Sequence, residues 1–329
     1  VEADTARIAG EAAALMRGAT KVLVVSHKSP DGDSIGTQLA LGRLLEPHAE
    51  QVTLLGSGPV PPRYAWLPGS ERIRVVDSCD EQFPLVVALE CSNLQRTGIG
   101  GIRGEVVINI DHHQQNDHYG QLNWVDPGFS SVGEMIYHVA RQLTGGRPLP
   151  PEAALNLYTA ILTDTGSFRY SNTSPSALAI CGELVAQGVK PAEAAANIYE
   201  NHSVARLRLM GRVLSTLAID PGGRIGWVAV SQADLRETGA APEDVEGLVS
   251  LPRSIGQLDV AALFREQEDG SFRVSLRSKR LVDVARVAAG FGGGGHVRAA
   301  GLSVPGPLDA AVSAVTAALR EAFPADGCT

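Results

Sequence analysis

The chain has 329 residues, 44% of them hydrophobic and 19% charged, with a formal net charge of -8. That length exceeds one typical core, so two domains are expected, and the acidic balance argues against a binder of long DNA or RNA, which needs a broad basic face. Four cysteines without C-x-x-C spacing (Cys79, Cys91, Cys181, Cys328), no apolar stretch of membrane-spanning length and an acidic N-terminal segment point to a cytoplasmic protein with reduced thiols and no membrane partner.

Residues 4–18 read as an amphipathic helix with Ile8, Ala12, Leu15 and Met16 on one side. Residues 21–26 form a buried strand, followed by the loop H-K-S-P-D-G-D-S and a helix, the first half of a parallel crossover unit. The loop sets His27, Asp31 and Asp33 at the carboxyl end of the strand, where open α/β sheets bind ligands. Asp33 or Ser34 as a helix N-cap, with 30–32 as a plain turn, is the competing account; it explains one acidic residue and leaves His27 and a second Asp unexplained. Strands follow at 51–55 and 84–89, the second ending in Glu90-Cys91-Ser92, with Arg96 in the next turn. Between them, 59–68 is a Pro-rich surface connector.

The strand at 106–110 ends in Asp111, His112 and His113. A carboxylate and two imidazoles at a strand tip are costly to bury unpaired and are typical metal-ligating types, although an N-cap Asp followed by two surface His explains the triplet equally well by itself. A helix covers 135–143, and an apolar helix or strand at 155–162 ends in T-D-T-G-S-F, presenting Asp164. Helices dominate 174–217, with Gly188 as a C-cap. In the second domain, strands fall at 225–230, 261–265 and 272–276 and helices near 242–250, 284–289 and 308–322. A basic run, Arg277 to Arg280, and the segment F-G-G-G-G-H-V-R complete the motifs.

Several apolar segments thus end in Asp, Glu or His, and one site at a sheet edge would gather them. The set His27, Asp31, Asp33, Glu90, His112 and Asp164 is rich in hard oxygen donors with some imidazole and no thiolate, which suits Mn²⁺ or Mg²⁺. Six ligands exceed the need of one ion that also keeps water and substrate, so two ions fit better, an arrangement suited to phosphoester hydrolysis. Asp111 and His113 fall beside the ligands or face phosphate. Gly292 to Gly295 permit a backbone nest for an anion, flanked by His296 and Arg298, so the first domain is expected to cut and the second to hold phosphate.

The motifs H-K-S-P-D-G-D-S, D-H-H, T-D-T-G-S-F and F-G-G-G-G-H-V-R-A-A-G resemble those of the DHH phosphoesterases that carry a C-terminal DHH-associated domain. Within that family the chain is most similar to the bacterial branch that degrades nanoRNA and dephosphorylates pAp, adenosine 3′,5′-bisphosphate. The resemblance implies an α/β chain: a Rossmann-like, parallel-sheet catalytic domain at 1–188, a helical connector at 189–208 and a smaller α/β substrate domain at 209–329. It implies two Mn²⁺ ions, with Mg²⁺ as the alternative: one on His27 and Asp31, the other on Asp33, His112 and Asp164. Glu90 stands where the family commonly has a bridging Asp, a departure that puts metal spacing in doubt. His113, supported by Asp111, would contact the scissile phosphate beside Arg96, and Arg277 with Gly293, Gly294, Gly295, His296 and Arg298 would clamp the substrate. The implied partners are short RNA oligonucleotides and small phosphorylated nucleotides, not long nucleic acid, and the reading accommodates a homodimer. Hydrolysis of cyclic di-AMP or pApA is the second enzymatic reading, and a nucleotide-binding regulator weakened by Glu90 is the reading from another class.

Overall fold

Strand and helix alternate through the first part of the chain, and the strands register as one parallel sheet. The computed structural model describes residues 2–324, with Glu2 and His296 by their backbone alone, so Cys328 lies outside the described residues. The opening elements are α1 (Glu2–Gly18), β1 (Lys21–Val25), α2 (Gly32–Leu45), β2 (Gln51–Gly56), β3 (Ile73–Val75), β4 (Gln82–Leu89), β5 (Arg103–Asp111) and β6 (Leu122–Val125). Helices α3 (Val132–Leu143), α4 (Pro151–Asp164), α5 (Pro175–Ala186) and α6 (Pro191–Tyr199) follow. The strand order is β3-β2-β1-β4-β5-β6, with every pair parallel.

The central strands are near-continuous Val/Leu/Ile runs because both faces of a parallel sheet are covered. Val22, Val24, Leu85, Val87 and Leu89 point into one core; Leu23, Val25, Val86 and Ala88 point into the other, the period of two that a strand imposes. The order reverses between β1 and β4, so chain leaves these two strands in opposite directions and opens a crevice at their carboxyl ends. Small residues let the helices around that crevice approach closely. A Cβ on Gly36 of α2 would lie 2.5 Å from the Asn156 carbonyl of α4, and one on Gly133 of α3 would lie 2.7 Å from the Ala160 Cβ. Larger residues at either place would push apart the helices that carry the candidate ligands.

The second part contains α7 (Val204–Ser215), β7 (Ala218–Ile219), β8 (Ile225–Val230), α8 (Gln232–Thr238), α9 (Ser250–Arg253), β9 (Val260–Glu266), β10 (Phe272–Ser278), α10 (Val284–Ala289), β11 (Gly294–His296), β12 (Ala299–Val304) and α11 (Leu308–Glu321). Its sheet runs β11-β12-β10-β9-β8-β7, with β8 and β9 parallel and the other pairs antiparallel. Phe264, Val274, Leu276 and Leu302 meet Val315 and Leu319 of α11 on one face, while Val228, Val230 and Leu263 meet Leu209 and Val213 of α7 on the other.

The chain divides into two compact units, one up to Asn201 and the other from His202. The stretch read as a connector does not stand alone. Ala194 and Ile198 of α6 belong to the first unit's core, and Leu209 and Val213 of α7 belong to the second's. Among the described residues no helix is long and apolar enough to cross a membrane.

Candidate metal centre

His27 follows β1, Glu90 follows β4, and Asp111 and His112 end β5, so three adjacent strands deliver their last side chains to one edge. The helices supply the rest. Asp31 is the N-cap of α2, its carboxylate accepting the Ser34 N–H at 3.0 Å, which differs from the Asp33 or Ser34 cap weighed from sequence. Asp33, in the first turn and fully buried, reaches the N-terminus of α3, where it accepts the N–H groups of Val132 at 2.6 Å and Gly133 at 2.8 Å. These bonds fix both oxygens and use the positive end of α3 to hold a charge. Asp164 is the last residue of α4, a negative helix end where a carboxylate is unfavourable without a cation.

The donor atoms of His27, Asp31 and Glu90 form one group and those of Asp33, His112 and Asp164 another, each within 4.8 Å. Glu90, 3% exposed, stands between them: its Oε2 lies 3.4 Å from His27 Nε2 and its Oε1 3.8 Å from His112 Nε2. It does so from a backbone at φ +58, a left-handed conformation uncommon outside glycine that marks a strained site residue. His112 Nε2 also lies 3.7 Å from Asp164 Oδ2, and His27 Nε2 lies 3.9 Å from Asp31 Oδ1. These separations exceed good hydrogen bonds and approach the spacing of donors around an ion with bonds of about 2.0–2.1 Å. Buried Glu90 Oε2 and His27 Nδ1 have no hydrogen-bond partner. A carboxylate and imidazole cluster with orphaned buried atoms fits divalent cations better than it fits a structural polar network.

The charges strain one another. Burial opposes a proton on His112, yet the adjacent Glu90 carboxylate and the charges of Asp164 and Asp33 push it up to about 10. Burial would raise Glu90, but His112 and His27 hold it well below the usual carboxylate range. Asp33 is raised by burial and by the charges of Glu90 and Asp164. The Asp164 side chain is 24% exposed, but burial of its carboxyl and the charges of Glu90 and Asp31 prevail over the pull of His112, pushing it up to about 7. Such shifts concentrate where groups serve chemistry rather than stability.

His113 adjoins the ligand cluster, with a donor atom within 4.8 Å of Glu90 and His112, and is anchored in a different way. Its Nδ1 lies 2.6 Å from Asp111 Oδ1, and its backbone N–H donates to the same oxygen at 3.1 Å. Asp111 is fully buried, and its Oδ2 accepts from Asn116 Nδ2 at 2.7 Å. Asn116 also pairs with Asn109 at 2.7 Å, and Asn109 donates to Asn123 at 3.1 Å, an amide chain absent from the sequence reading. Its signal was Asn109 interrupting the apolar run V-I-N-I. Asn172, likewise unanticipated, donates to the Asp164 carbonyl at 3.2 Å and to the Ser130 carbonyl at 2.9 Å, tying the end of α4 to the segment before α3. Arg96 is exposed on the turn Leu94–Thr97; its carbonyl accepts the Lys28 N–H at 2.8 Å, and its charge opposes protonation of His27.

In the second unit, Arg277 lies on β10 with its Nη1 donating to the Leu276 carbonyl at 2.9 Å, and Arg298 Nη1 donates to the Val282 carbonyl at 3.2 Å. The glycine run differs from the loop nest expected of it. Gly294 to His296 form edge strand β11, paired with β12, and the Gly293 N–H donates to the Ala288 carbonyl at 2.9 Å. The reason is steric: a Cβ on Gly293 would lie 2.2 Å from the Gly301 carbonyl, so glycine is what lets the hairpin lie on its neighbour.

Comparison with known proteins agrees with this architecture. Residues 21–161 match the DHH family N-terminal domain and residues 226–322 the DHHA1 domain. The chain is 35% identical over 91% of its length to the bifunctional oligoribonuclease and PAP phosphatase NrnA of Thermus thermophilus, covering 89% of that protein. It is 33% identical over 85% of its length to a probable enzyme of the same name from Streptococcus mutans, covering 88% of it. The crystal structure of an exopolyphosphatase-related protein from Bacteroides fragilis superposes with a TM-score of 0.85 at 27% identity, covering 96% of each chain. The chain belongs to the DHH family of phosphoesterases, with a DHHA1 domain following its DHH domain.

Proposed function

We propose that this phosphoesterase hydrolyses short oligoribonucleotides to mononucleotides and removes a phosphate from pAp to give AMP, using two Mn²⁺ ions. The observation that carries the reading is the pair of donor groups sharing Glu90, in a chain whose relatives are named for those two activities. His27, Asp31 and Glu90 would hold one ion; Asp33, His112 and Asp164, with Glu90 between, would hold the other. Bound there, divalent cations supply a nucleophile at neutral pH and stabilise charge on the phosphoryl oxygens.

The chain's own side chains do the rest. Asp111 holds His113 through Nδ1 and Asn116 keeps Asp111 in place, so the imidazole is oriented and would meet a phosphate oxygen through its other ring nitrogen. Arg96 adds positive charge beside His27. In the second unit, Arg277, Arg298, His296 and the Gly293 to Gly295 edge would bind the substrate's terminal phosphate. The three described cysteines are free thiols, which suits a cytoplasmic enzyme. Glu90 motivates the regulator reading, but its reach to both His27 and His112 favours a working bridge.

The test is purified protein with Mn²⁺ offered a two-nucleotide RNA, pAp, pApA and cyclic di-AMP, with Asp33→Ala as control. Turnover of the first two, abolished in the control, is expected. Binding of all four without turnover would favour the regulator, and turnover confined to the last two would favour the cyclic-dinucleotide reading.

A further inference from the structure

The motif T-D-T-G-S-F-R-Y carries more than Asp164. Gly166, Ser167 and Phe168 all take left-handed backbone conformations, with φ of +56, +60 and +61. Three such residues in succession, two with side chains, are unfavourable for L-amino acids and persist only where the surroundings hold them. The surroundings do so here. The Ser167 N–H donates to the Leu162 carbonyl at 2.8 Å, the Phe168 N–H to Thr165 Oγ1 at 3.2 Å, and the Tyr170 N–H to the Thr165 carbonyl at 3.0 Å. Phe168 turns inward against the first unit's core.

Tyr170 turns the other way. It is 38% exposed, whereas Tyr64, Tyr137 and Tyr158 are buried. A Cβ on Gly166 would lie 2.4 to 2.6 Å from three atoms of the Tyr170 ring, so the ring lies flat on the glycine backbone. Only glycine can serve as that floor. Gly166 is two residues from Asp164, at most about 7.6 Å between Cα atoms at 3.80 Å per residue. The loop then returns to the same carboxylate: Asn172 Nδ2 lies 3.4 Å from Asp164 Oδ2. Arg169 is exposed, its Nε donating at 2.7 Å to the carbonyl of the same glycine that the ring covers. A rigidly floored aromatic ring, with a guanidinium anchored to the same glycine, on the loop of a candidate ligand, has the composition of a nucleobase platform.

We propose that Tyr170 is the surface on which a substrate nucleobase stacks beside the metal centre, so that it selects nucleotides over base-free phosphoesters. This rests on the phosphoesterase reading above and names the part of the substrate that reading leaves open. Base–aromatic stacking tolerates every base, which accords with degradation of short RNA of any sequence.

The experiment compares AMP with ribose 5-phosphate, two ligands that differ only by the base, by calorimetric binding in Mn²⁺. The proteins are the wild type, Tyr170→Leu, which keeps apolar bulk without a π-face, and Tyr170→Phe, which keeps the face. Tyr170→Leu is expected to lower the preference for AMP by roughly 5- to 150-fold while ribose 5-phosphate binds as before, and Tyr170→Phe to restore the preference. An unchanged preference in Tyr170→Leu, or equal weakening of both ligands, overturns the proposal. RNA turnover is read separately: its absence with the Tyr170-dependent preference intact would refute the activity and leave the platform standing.

Discussion

Asp164→Asn should stabilise the metal-free protein and destroy its response to Mn²⁺. Asp164 sits at the negative end of α4 and within reach of His112, in a site that also holds Asp31, Asp33 and Glu90. Its carboxyl is pushed from an ordinary 3.8 to about 7 by burial and by Glu90 and Asp31, against His112. The sign follows from proton binding. Between those two values the folded state holds a proton that the unfolded chain releases, so metal-free stability falls as pH rises through that window. Full expression of the shift is about 4 kcal/mol above pH 8. Because a quarter of the side chain is solvated, we take about half, ~2 kcal/mol. For a unit of this size that is a rise in Tm of about 4–8 °C. The assay is thermal unfolding at pH 8, in chelator and in Mn²⁺, following the transition that responds to the ion in the wild type. The expected outcome is a higher Tm for Asp164→Asn in chelator and a much smaller Mn²⁺ increment. A variant less stable than the wild type in chelator, or one that keeps the full increment, would refute the reasoning.

Other perturbations separate positioning from ligation. Asn116→Ala leaves Asp111 Oδ2 without its 2.7 Å donor and loosens the carboxylate that orients His113, so kcat should fall roughly 10- to 100-fold with Mn²⁺ stoichiometry unchanged, read by steady-state kinetics and metal analysis. Gly133→Ala places a Cβ 2.7 Å from Ala160 and 3.3 Å from Asp33 Oδ1, and should cost about 1–3 kcal/mol in urea unfolding while weakening Mn²⁺ binding. Asp220 accepts N–H groups from Gly222, Arg224 and Ile225 and a bond from Arg320, which overcome burial and lower its pKa. Its contribution is present above the ordinary Asp range and lost as pH falls through the lowered value. Asp220→Asn should therefore cost about 1–3 kcal/mol at pH 7, with the difference shrinking in acid.

The candidate site was readable because its chemistry sits where apolar runs stop. Lys21–Val25, Gln82–Leu89 and Arg103–Asp111 are each strong strand signals, and the residues that follow them needed no long-range information to stand out. Asp164 was readable for the same reason, at the end of an apolar helix. What holds these groups was harder to see. The bonds from Val132 and Gly133 to Asp33 span about a hundred residues, and no local pattern announces them. Asn116 and Asn172 look like loop residues until the loops close on Asp111 and Asp164. The short strands Ile73–Val75 and Leu122–Val125 carry too few residues for a period to register, although they complete the sheet on either side. The glycine run read as a loop because consecutive glycines disfavour strands by entropy; pairing to β12 and close contact with Gly301 prevail over that tendency.

The central claim is that Glu90 joins two cation sites. Calorimetric titration of metal-free protein with Mn²⁺, paired with elemental analysis after gel filtration, counts them directly. The account predicts two ions per chain in the wild type and loss of at least one in Asp33→Ala. A single ion, or none, bound by the correctly folded wild-type protein would contradict it.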